Sequence, residues 1–150
     1  MEKVQSSFQN DFLGSYEVTL DAKNRFSFPA EYRSALADKN LIINKGMDGC
    51  LYVFTEERYN LFCIKQLESG GGVEKRATRK LKRMLTASAV RKTIDNQGRL
   101  LLPNNLMQMA EIEKELVVVG AGDRIELWNK GKWLEEIESF DDIEDMLEDM

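Results

Sequence analysis

Residues 16–29 read YEVTLDAKNRFSFP, and residues 90–103 read VRKTIDNQGRLLLP. The two stretches align without a gap at an offset of 74 positions, and aspartate, arginine and proline recur in register. Internal similarity at a fixed offset is the signature of a repeated structural unit. The chain therefore contains two copies of one unit, and the fold follows from what a single copy predicts.

The similarity continues beyond these two stretches. Leu41–Ile43 corresponds to Val117–Val119 after a small insertion, and Leu51–Phe54 corresponds to Ile125–Trp128 at the original offset. Short apolar runs bounded by turn residues are typical of strands. Each copy thus predicts a strand, a tight turn, a short strand, a helix opened by proline, and a hairpin of two more strands.

The turn and the start of the helix carry matching residue types in the two copies. Asn24 aligns with Gly98, and asparagine and glycine are the residue types that best tolerate positive φ. Pro29 and Pro103 suit the first turn of a helix, because proline has its φ fixed near the helical value and lacks an N–H that would find no partner there. Each copy is therefore expected to turn before its short strand and to enter a helix after it.

A second helix is expected after each hairpin, over residues 56–67 and 130–140, where apolar residues recur at helical spacing. A copy of roughly 50 residues buries too little surface to be stable alone, so the two copies should share one core with pseudo-two-fold symmetry. The predicted class is α+β, mainly β, with short helices. The predicted organisation is a first repeat at 12–67, a loop and basic helical connection at 68–86, a second repeat at 87–134 and an acidic C-terminal tail at 135–150.

Charge is strongly segregated along the chain. The formal net charge is -5, but residues 133–150 contain nine acidic residues and no basic ones, so the remainder carries +4. Residues 73–92 contain eight basic residues against Glu74 alone. A concentrated positive segment is typical of proteins that bind nucleic acid, whatever the sign of the total charge.

Several classes of function lack the residues they need. The chain has no histidine and only two cysteines, so the usual general base and the common zinc patterns are missing. No phosphate-binding loop or nucleophile elbow is present, and Gly70–Gly72 is expected to be a flexible loop. We therefore expect no enzyme activity, no cofactor, no metal and no small-molecule substrate.

The pattern of hydrophobicity predicts a cytoplasmic protein without a membrane partner. No stretch approaches the roughly 20 apolar residues that span a bilayer. Residues 1–10 are polar and lack the apolar core of a signal peptide.

The chain resembles the MraZ family, which is related to the AbrB and MazE type of swapped-hairpin DNA-binding fold. The resemblance covers nearly the whole chain. A single Asp-x-x-x-Arg motif would carry little weight, but two in matching surroundings are specific. The residues that carry it are Phe12-Leu13-Gly14, the Asp21 to Arg25 turn, Phe28 to Arg33, Asp48 to Leu51, Ala87-Ser88-Ala89, the Asp95 to Arg99 turn and Leu102-Pro103.

The resemblance implies both an assembly and a function. It implies two tandem swapped-hairpin β-barrel halves that assemble into a ring-shaped homo-oligomer. It implies binding of double-stranded DNA, at tandem short G-rich repeats upstream of the division and cell-wall gene cluster that includes the protein's own gene. A transcriptional regulator of this kind would be associated with the nucleoid.

The family's turns also imply roles for individual residues. Arg25 and Arg99 are expected to bind DNA, since an arginine beside a protruding turn can place its planar fork on the O6 and N7 edge of guanine. Lys23 is expected to hold phosphate. The acceptor-only carboxylates of Asp21 and Asp95 would repel phosphate, so they are expected to close the turns and orient the arginines.

The two turns are not equivalent, and their roles have an alternative. Gln97 replaces Lys23 in the second copy, and Asn24 stands where the family usually has glycine. Met107 stands where an arginine matching Arg33 is expected. Alternatively, both arginines pair with their aspartates merely to fasten the barrel.

Other interpretations remain open for the charged segments and for the protein as a whole. Residues 75–83 predict either a helix that presents positive charge or a solvated linking helix. The acidic tail could dock on a basic surface of its own or an adjacent subunit and compete with DNA, or stay solvated. Alternatives to a DNA-binding regulator are a ring-shaped hub that binds another protein and an antitoxin-like interaction protein.

Overall fold

A computed structural model of the chain describes residues 10–68 and 75–149. The strands in these ranges are β1 (Ser15–Thr19), β2 (Arg25–Ser27), β3 (Leu41–Lys45), β4 (Leu51–Thr55), β5 (Val90–Lys92), β6 (Arg99–Leu101), β7 (Glu115–Gly120) and β8 (Ile125–Asn129). The α-helices are α1 (Ala30–Leu36), α2 (Glu56–Glu68), α3 (Arg76–Ala87), α4 (Asn104–Met109), α5 (Lys130–Glu138) and α6 (Ile143–Glu148). A 3-10 helix, Ser139–Asp142, joins α5 to α6.

Six of the strands form one antiparallel sheet in the order β1-β7-β8-β4-β3-β5. The strands β1 to β4 of the first repeat correspond to β5 to β8 of the second. When each strand is replaced by its counterpart and the order is read from the other end, the order is unchanged. The register obeys the same symmetry at the centre, where Leu51 pairs with Leu127, Tyr52 with Glu126 and Val53 with Ile125. The pseudo-two-fold axis therefore passes between β4 and β8.

Each repeat gives its first strand to the other repeat. β1 pairs with β7 over five residues, and β5 pairs with β3 over three. The short strands β2 and β6 pair with each other and form a separate two-stranded ribbon. Because most strands of one repeat hydrogen-bond to the other, the repeats cannot separate without losing sheet on both sides.

The ribbon covers one face of the sheet. Phe26 and Leu100, which pair at the centre of the ribbon, belong to the same buried cluster as Leu51 and Leu127 of the central strands. The short helices α1 and α4 close this core through Tyr32, Leu36, Leu106 and Met107. The ribbon is thus fixed to the sheet by its apolar inner side.

The longer helices cover the opposite face. A second cluster joins Tyr52, Phe54 and Trp128 of the sheet to Tyr59 and Phe62 of α2 and Trp133 of α5. The helix α3 packs beside α2 on β3, and its Leu85 carbonyl accepts bonds from the Asn44 side chain at 3.0 Å and the Tyr59 hydroxyl at 2.9 Å. The molecule therefore has three layers. The six-stranded sheet is in the middle, the ribbon is one outer layer, and α2, α3 and α5 form the other.

The mixed α+β class, the dominance of sheet and the two repeated units are confirmed. The prediction of β-barrel halves is wrong, because the large sheet is open. Its edge strands β1 and β5 lie at opposite ends of the sheet order. The interleaved pairing buries both faces of one shared sheet under the ribbon and the helices, so neither half needs to close on itself.

The helix boundaries differ slightly from those predicted. The second helix of the first copy runs one residue further, to Glu68, and α5 ends at Glu138, where the chain tightens into the 3-10 turn. Pro29 and Pro103 stand at the N-cap, one position before the helix, with ψ of 146° and 142°. The residues from 135 onward continue α5 and then form α6. The predicted loop at Gly70–Gly72 lies outside the described residues.

The structure predicts unequal effects of the same substitution at two glycines. A Cβ at Gly120 would lie 2.5 Å from the Leu13 backbone nitrogen and 2.6 Å from the Tyr32 hydroxyl. We expect Gly120→Ala to lower the free energy of unfolding by about 1–3 kcal/mol, because backbone cannot move aside without opening the β1 edge. In α5 a Cβ at Gly131 would lie 3.3 Å from Asn129 Oδ1, so Gly131→Ala should change the free energy of unfolding by less than about 1 kcal/mol, because the helix preference of alanine offsets this tight contact. Urea unfolding measures both, and equal effects would contradict the packing described.

Candidate nucleic-acid interface

The turn before β2 is closed by one carboxylate. The backbone N–H groups of Lys23 and Arg25 donate to Asp21 Oδ1 at 2.8 and 2.9 Å, and Arg25 Nε donates to Asp21 Oδ2 at 2.9 Å. The backbone adds two bonds, from Asn24 N to the Asp21 carbonyl at 3.0 Å and from Asp21 N to the Arg25 carbonyl at 2.8 Å. The aspartate thus shapes the turn and fixes the direction of the arginine at once.

The turn before β6 repeats this arrangement. Gln97 N and Arg99 N both donate to Asp95 Oδ1 at 2.9 Å, and Arg99 Nε donates to Asp95 Oδ2 at 2.8 Å. The turn residues Asn24 and Gly98 have φ of 62° and 76°, the left-handed conformation predicted for both. The two copies therefore hold their arginines by the same contacts despite their different sequences.

The ribbon places the two turns at its opposite ends. Arg25 pairs with Leu101, and Arg99 pairs with Ser27. Since Phe26 and Leu100 point into the core and side chains alternate along a strand, these four residues share the outer face of the ribbon. Arg25 and Arg99 lie on neighbouring strands and are offset from each other by two residues along the strands. Their Cα atoms are therefore about 8 Å apart.

Both arginine side chains are partly exposed. The side chains of Arg25 and Arg99 are 27% and 29% exposed, and their recorded bonds to aspartate run through Nε. The Nη1 and Nη2 atoms of each guanidinium form the end of the fork, which can grip two acceptors side by side. The arrangement offers two oriented forks on one exposed face.

The contacts within each turn lower the pKa of its aspartate. The backbone N–H of Arg25 lowers the pKa of Asp21 below its ordinary value, helped by the Lys23 N–H and the Arg25 guanidinium. The Arg99 backbone N–H lowers the pKa of Asp95 in the same way, with help from its guanidinium and the Gln97 N–H. The folded turns therefore favour the ionised carboxylate that binds the arginine.

A further arginine, Arg33, lies at the second turn, a position that the sequence analysis did not predict. Arg33 of α1 donates through Nε to the Phe28 carbonyl at 2.8 Å, and its stem crosses Gly98, so a Cβ there would lie 2.7 Å from Arg33 Cδ. The Phe28 N–H in turn donates to the Gly98 carbonyl at 3.0 Å. The ribbon pairing brings the first repeat's α1 to the second repeat's turn, and no spacing within one repeat could reveal this.

The two ends of the ribbon therefore hold different cations. Lys23 is exposed at the first turn, where Asn24 bonds to Asn104 at 3.0 Å. The second turn has Gln97 in the lysine's place but gains Arg33. The first turn gains no such arginine, since Met107 stands in the corresponding position and is buried. Each turn thus has one aspartate-held arginine and one additional cation.

The basic segment predicted from the sequence does not join this surface. Its residues 76–87 form α3, which packs with α2 on the face of the sheet opposite the ribbon, and Arg91 and Lys92 lie in the edge strand β5. The helix with most of this positive charge therefore lies on the side of the sheet opposite the arginines of the ribbon.

Comparison with known proteins agrees with the repeated architecture. The family model described as "MraZ protein, putative antitoxin-like" matches residues 12–83 and again residues 85–148. The chain belongs to the MraZ family. This confirms the resemblance noted from the sequence, and the two matches divide the chain between the two repeats.

Relatives within the MraZ family match almost the full chain. The Transcriptional regulator MraZ of Pediococcus pentosaceus is 39% identical over 92% of this chain and 97% of its own length. That of Clostridium acetobutylicum is 38% identical over 93% and 96%, and that of Lachnoclostridium phytofermentans is 35% identical over 93% and 94%. MraZ proteins are transcriptional regulators and not enzymes, so the family assigns this chain to transcription regulation.

The described residues contain neither a candidate metal site nor a candidate membrane-spanning helix. Residues 10–68 and 75–149 contain no group of three or more side chains placed to hold a metal ion. Across the same two ranges, no helix combines the length and the apolar character that crossing a bilayer requires.

The lowered pKa values predict how the turns respond to acid. A carboxyl group whose pKa falls on folding stabilises the protein above its unfolded pKa, and that contribution is lost as pH falls through the folded value. We expect Asp21→Asn/Asp95→Asn to lower the free energy of unfolding at neutral pH. The difference from the wild type should shrink below pH 3.8, the ordinary aspartate value, as the wild-type groups become protonated.

Urea unfolding at a series of pH values measures this difference. Asp142→Asn, in the 3-10 turn, serves as the matched control and should show a much smaller difference at neutral pH. A difference between the double variant and the wild type that stays constant from neutral pH into acid would contradict the role of the two carboxylates.

Proposed function

We propose that this protein is a sequence-specific DNA-binding transcriptional regulator that inserts its β2–β6 ribbon into the major groove. The observation that carries the proposal is the pair of aspartate-held arginines, Arg25 and Arg99, on one exposed ribbon face. The major groove admits a two-stranded ribbon, and known β-ribbon proteins read bases in this way. The names of the relatives, which are transcriptional regulators, support the same conclusion.

The two arginines suit guanine bases at a short spacing. The end of a guanidinium fork fits guanine O6 and N7, the commonest specific contact in protein–DNA complexes. Successive bases on a strand are about 3.4 Å apart. Arginines whose Cα atoms are about 8 Å apart therefore match guanines that are separated by about two to three base steps. Arg25 and Arg99 together would favour a short G-rich sequence.

The additional cations would hold the backbone of the DNA on either side. Lys23 lies beside the first turn, and the exposed Arg33 crosses the second and donates through Nε to the Phe28 carbonyl. Contacts of this kind set the register of a protein on the duplex without reading sequence. One positive group at each end of the ribbon fits the two strands that border a groove.

A single ribbon makes few contacts, so specific binding requires several ribbons at fixed spacing. We propose that copies assemble into a ring, in the swapped-hairpin architecture of the AbrB and MazE type, and bind tandem repeats cooperatively. Linked sites raise the effective concentration for each later contact. The proposed targets are repeats upstream of the division and cell-wall cluster, including the protein's own gene, and the proposed location is the cytoplasm at the nucleoid.

The role of the arginines in reading bases is tested with Arg25→Ala and Arg99→Ala. Each should weaken binding to DNA from upstream of the protein's own gene by roughly tenfold to a hundredfold, the discrimination of one bidentate pair. Fluorescence anisotropy measures the affinities, and circular dichroism checks that each variant folds. Lys65→Ala changes one exposed lysine of α2, on the face of the sheet opposite the ribbon, and should bind nearly as well as the wild type.

The arginine test has two informative negative outcomes. If the folded Arg25 and Arg99 variants bind with wild-type affinity, the arginines fasten the turns and do not read DNA. If the wild type itself fails to bind in low salt, the protein-binding hub becomes the better account.

The cations at the ends of the ribbon are tested through the salt dependence of binding. Each phosphate contact that is lost should reduce the slope of log affinity against log salt by about 0.9. We expect Lys23→Ala and Arg33→Gln each to show this reduction while keeping the same preference among DNA sequences. An unchanged slope for Arg33→Gln would exclude Arg33 from the interface, and an altered sequence preference would make it a base contact instead.

A further inference from the structure

The outer face of the ribbon carries one large apolar side chain among charged and polar neighbours. Leu101 is 46% exposed, on the face that also presents Arg25, Ser27 and Arg99. The residues before and after it are both buried in the core, so the alternation of the strand directs Leu101 outward. A single exposed leucine is ordinary on a protein surface. This one, however, lies at the centre of the face proposed to enter the major groove.

The fold of the ribbon does not require leucine at this position. The counterpart of Leu101 in the first repeat is Ser27, at the same offset of 74. Ser27 pairs with Arg99 just as Leu101 pairs with Arg25, so the two residues occupy equivalent places in the ribbon. Serine is compatible with the same strand geometry in one repeat. The leucine is therefore available for contact with whatever the outer face binds.

The difference between Leu101 and Ser27 also breaks the symmetry of this face. The pseudo-two-fold axis exchanges Arg25 with Arg99, so these two arginines alone would bind guanines equally well in two opposite orientations. The additional cations at the ends of the ribbon would contact phosphates, which carry no sequence information. Among the four residues of the outer face, the leucine and the serine are the pair that can distinguish the two orientations by their bases.

The major groove offers one apolar group for a leucine to contact. Every base pair presents hydrogen-bonding groups there, and thymine adds a C5-methyl group. Residues directly opposite each other in an antiparallel pair have Cβ atoms about 4.5–5.5 Å apart, and successive bases are about 3.4 Å apart. Leu101 would therefore lie over a base one or two steps from the guanine that Arg25 contacts.

We propose that Leu101 packs against the C5-methyl group of a thymine beside the guanine of Arg25, and so fixes the direction in which the ribbon lies on its site. The inference rests on the proposed function and adds a base that the arginines do not read. The hydroxyl of Ser27 both donates and accepts hydrogen bonds, so the equivalent position beside Arg99 makes no such demand. Each repeat of a tandem array would then be read in one direction.

A scan of methyl groups in the DNA tests this contact. In DNA from upstream of the protein's own gene, each pyrimidine position of the repeats is compared with and without its C5-methyl group. Thymine is compared with deoxyuridine and 5-methylcytosine with cytosine, which preserves base pairing. For the wild type we expect one thymine position at which loss of the methyl group weakens binding by about threefold to fivefold per repeat, the effect of exposing one buried methyl group. Leu101→Ala should bind the thymine and deoxyuridine forms equally in fluorescence anisotropy.

Exchanging the two residues should move the methyl requirement. Ser27→Leu/Leu101→Ser places the apolar side chain opposite Arg99. Methyl dependence should then disappear at the original thymine and appear at a pyrimidine beside the guanine that Arg99 contacts. Both exchanged residues are exposed, so the core stays intact, and circular dichroism checks the fold. Leu61→Ala, at a leucine of α2 that is 50% exposed on the opposite face of the sheet, is the matched control and should keep the wild-type methyl dependence.

The possible results separate this inference from the proposed function. If the wild type binds the DNA and Arg25→Ala weakens that binding, yet no methyl group affects it, the proposed function stands and the thymine contact is overturned. A Leu101→Ala variant that binds more weakly but keeps the full methyl dependence would also overturn it, because the leucine then only supports the stem of Arg25. If the wild type binds no DNA, the inference and the proposed function fail together.

Discussion

The pairing of strands from different repeats is the constraint on which the rest of this structure depends. The two central strands, β4 and β8, join the repeats at the pseudo-two-fold axis, and each outer strand belongs to the opposite repeat from its neighbour. Neither half could bury its apolar strands alone. The exchange gives one shared sheet whose two faces are both covered, and it makes the repeats a single cooperative unit.

The same exchange creates the candidate interface. The short strands β2 and β6 have only three residues each, and their pairing through Phe26 and Leu100 fixes the distance between the two turns. Within each turn a single carboxylate satisfies two backbone N–H groups and one guanidinium, so the arginine is oriented before any ligand arrives. Orientation in advance reduces the entropy lost on binding.

The sequence alone predicts what lies within one repeat. The alignment of residues 16–29 with 90–103 predicts the turns and the positive φ of Asn24 and Gly98, because these features depend on neighbouring residues. It does not predict the open sheet, since the register between repeats leaves no local pattern. For the same reason, the sequence does not predict the position of Arg33 over Gly98, because that contact depends on the pairing of β2 with β6.

The central claim is that an oriented arginine reads a guanine, and a double-substitution cycle tests it at the level of atoms. Affinity would be measured for the wild type and for Arg25→Ala, each with DNA in which one guanine is replaced by 7-deazaguanine. The replacement removes only the N7 acceptor that one arm of the fork requires. At the guanine that Arg25 contacts, the account predicts that the replacement weakens wild-type binding and has no further effect on the variant. Independent, additive losses at every guanine of the site would contradict it.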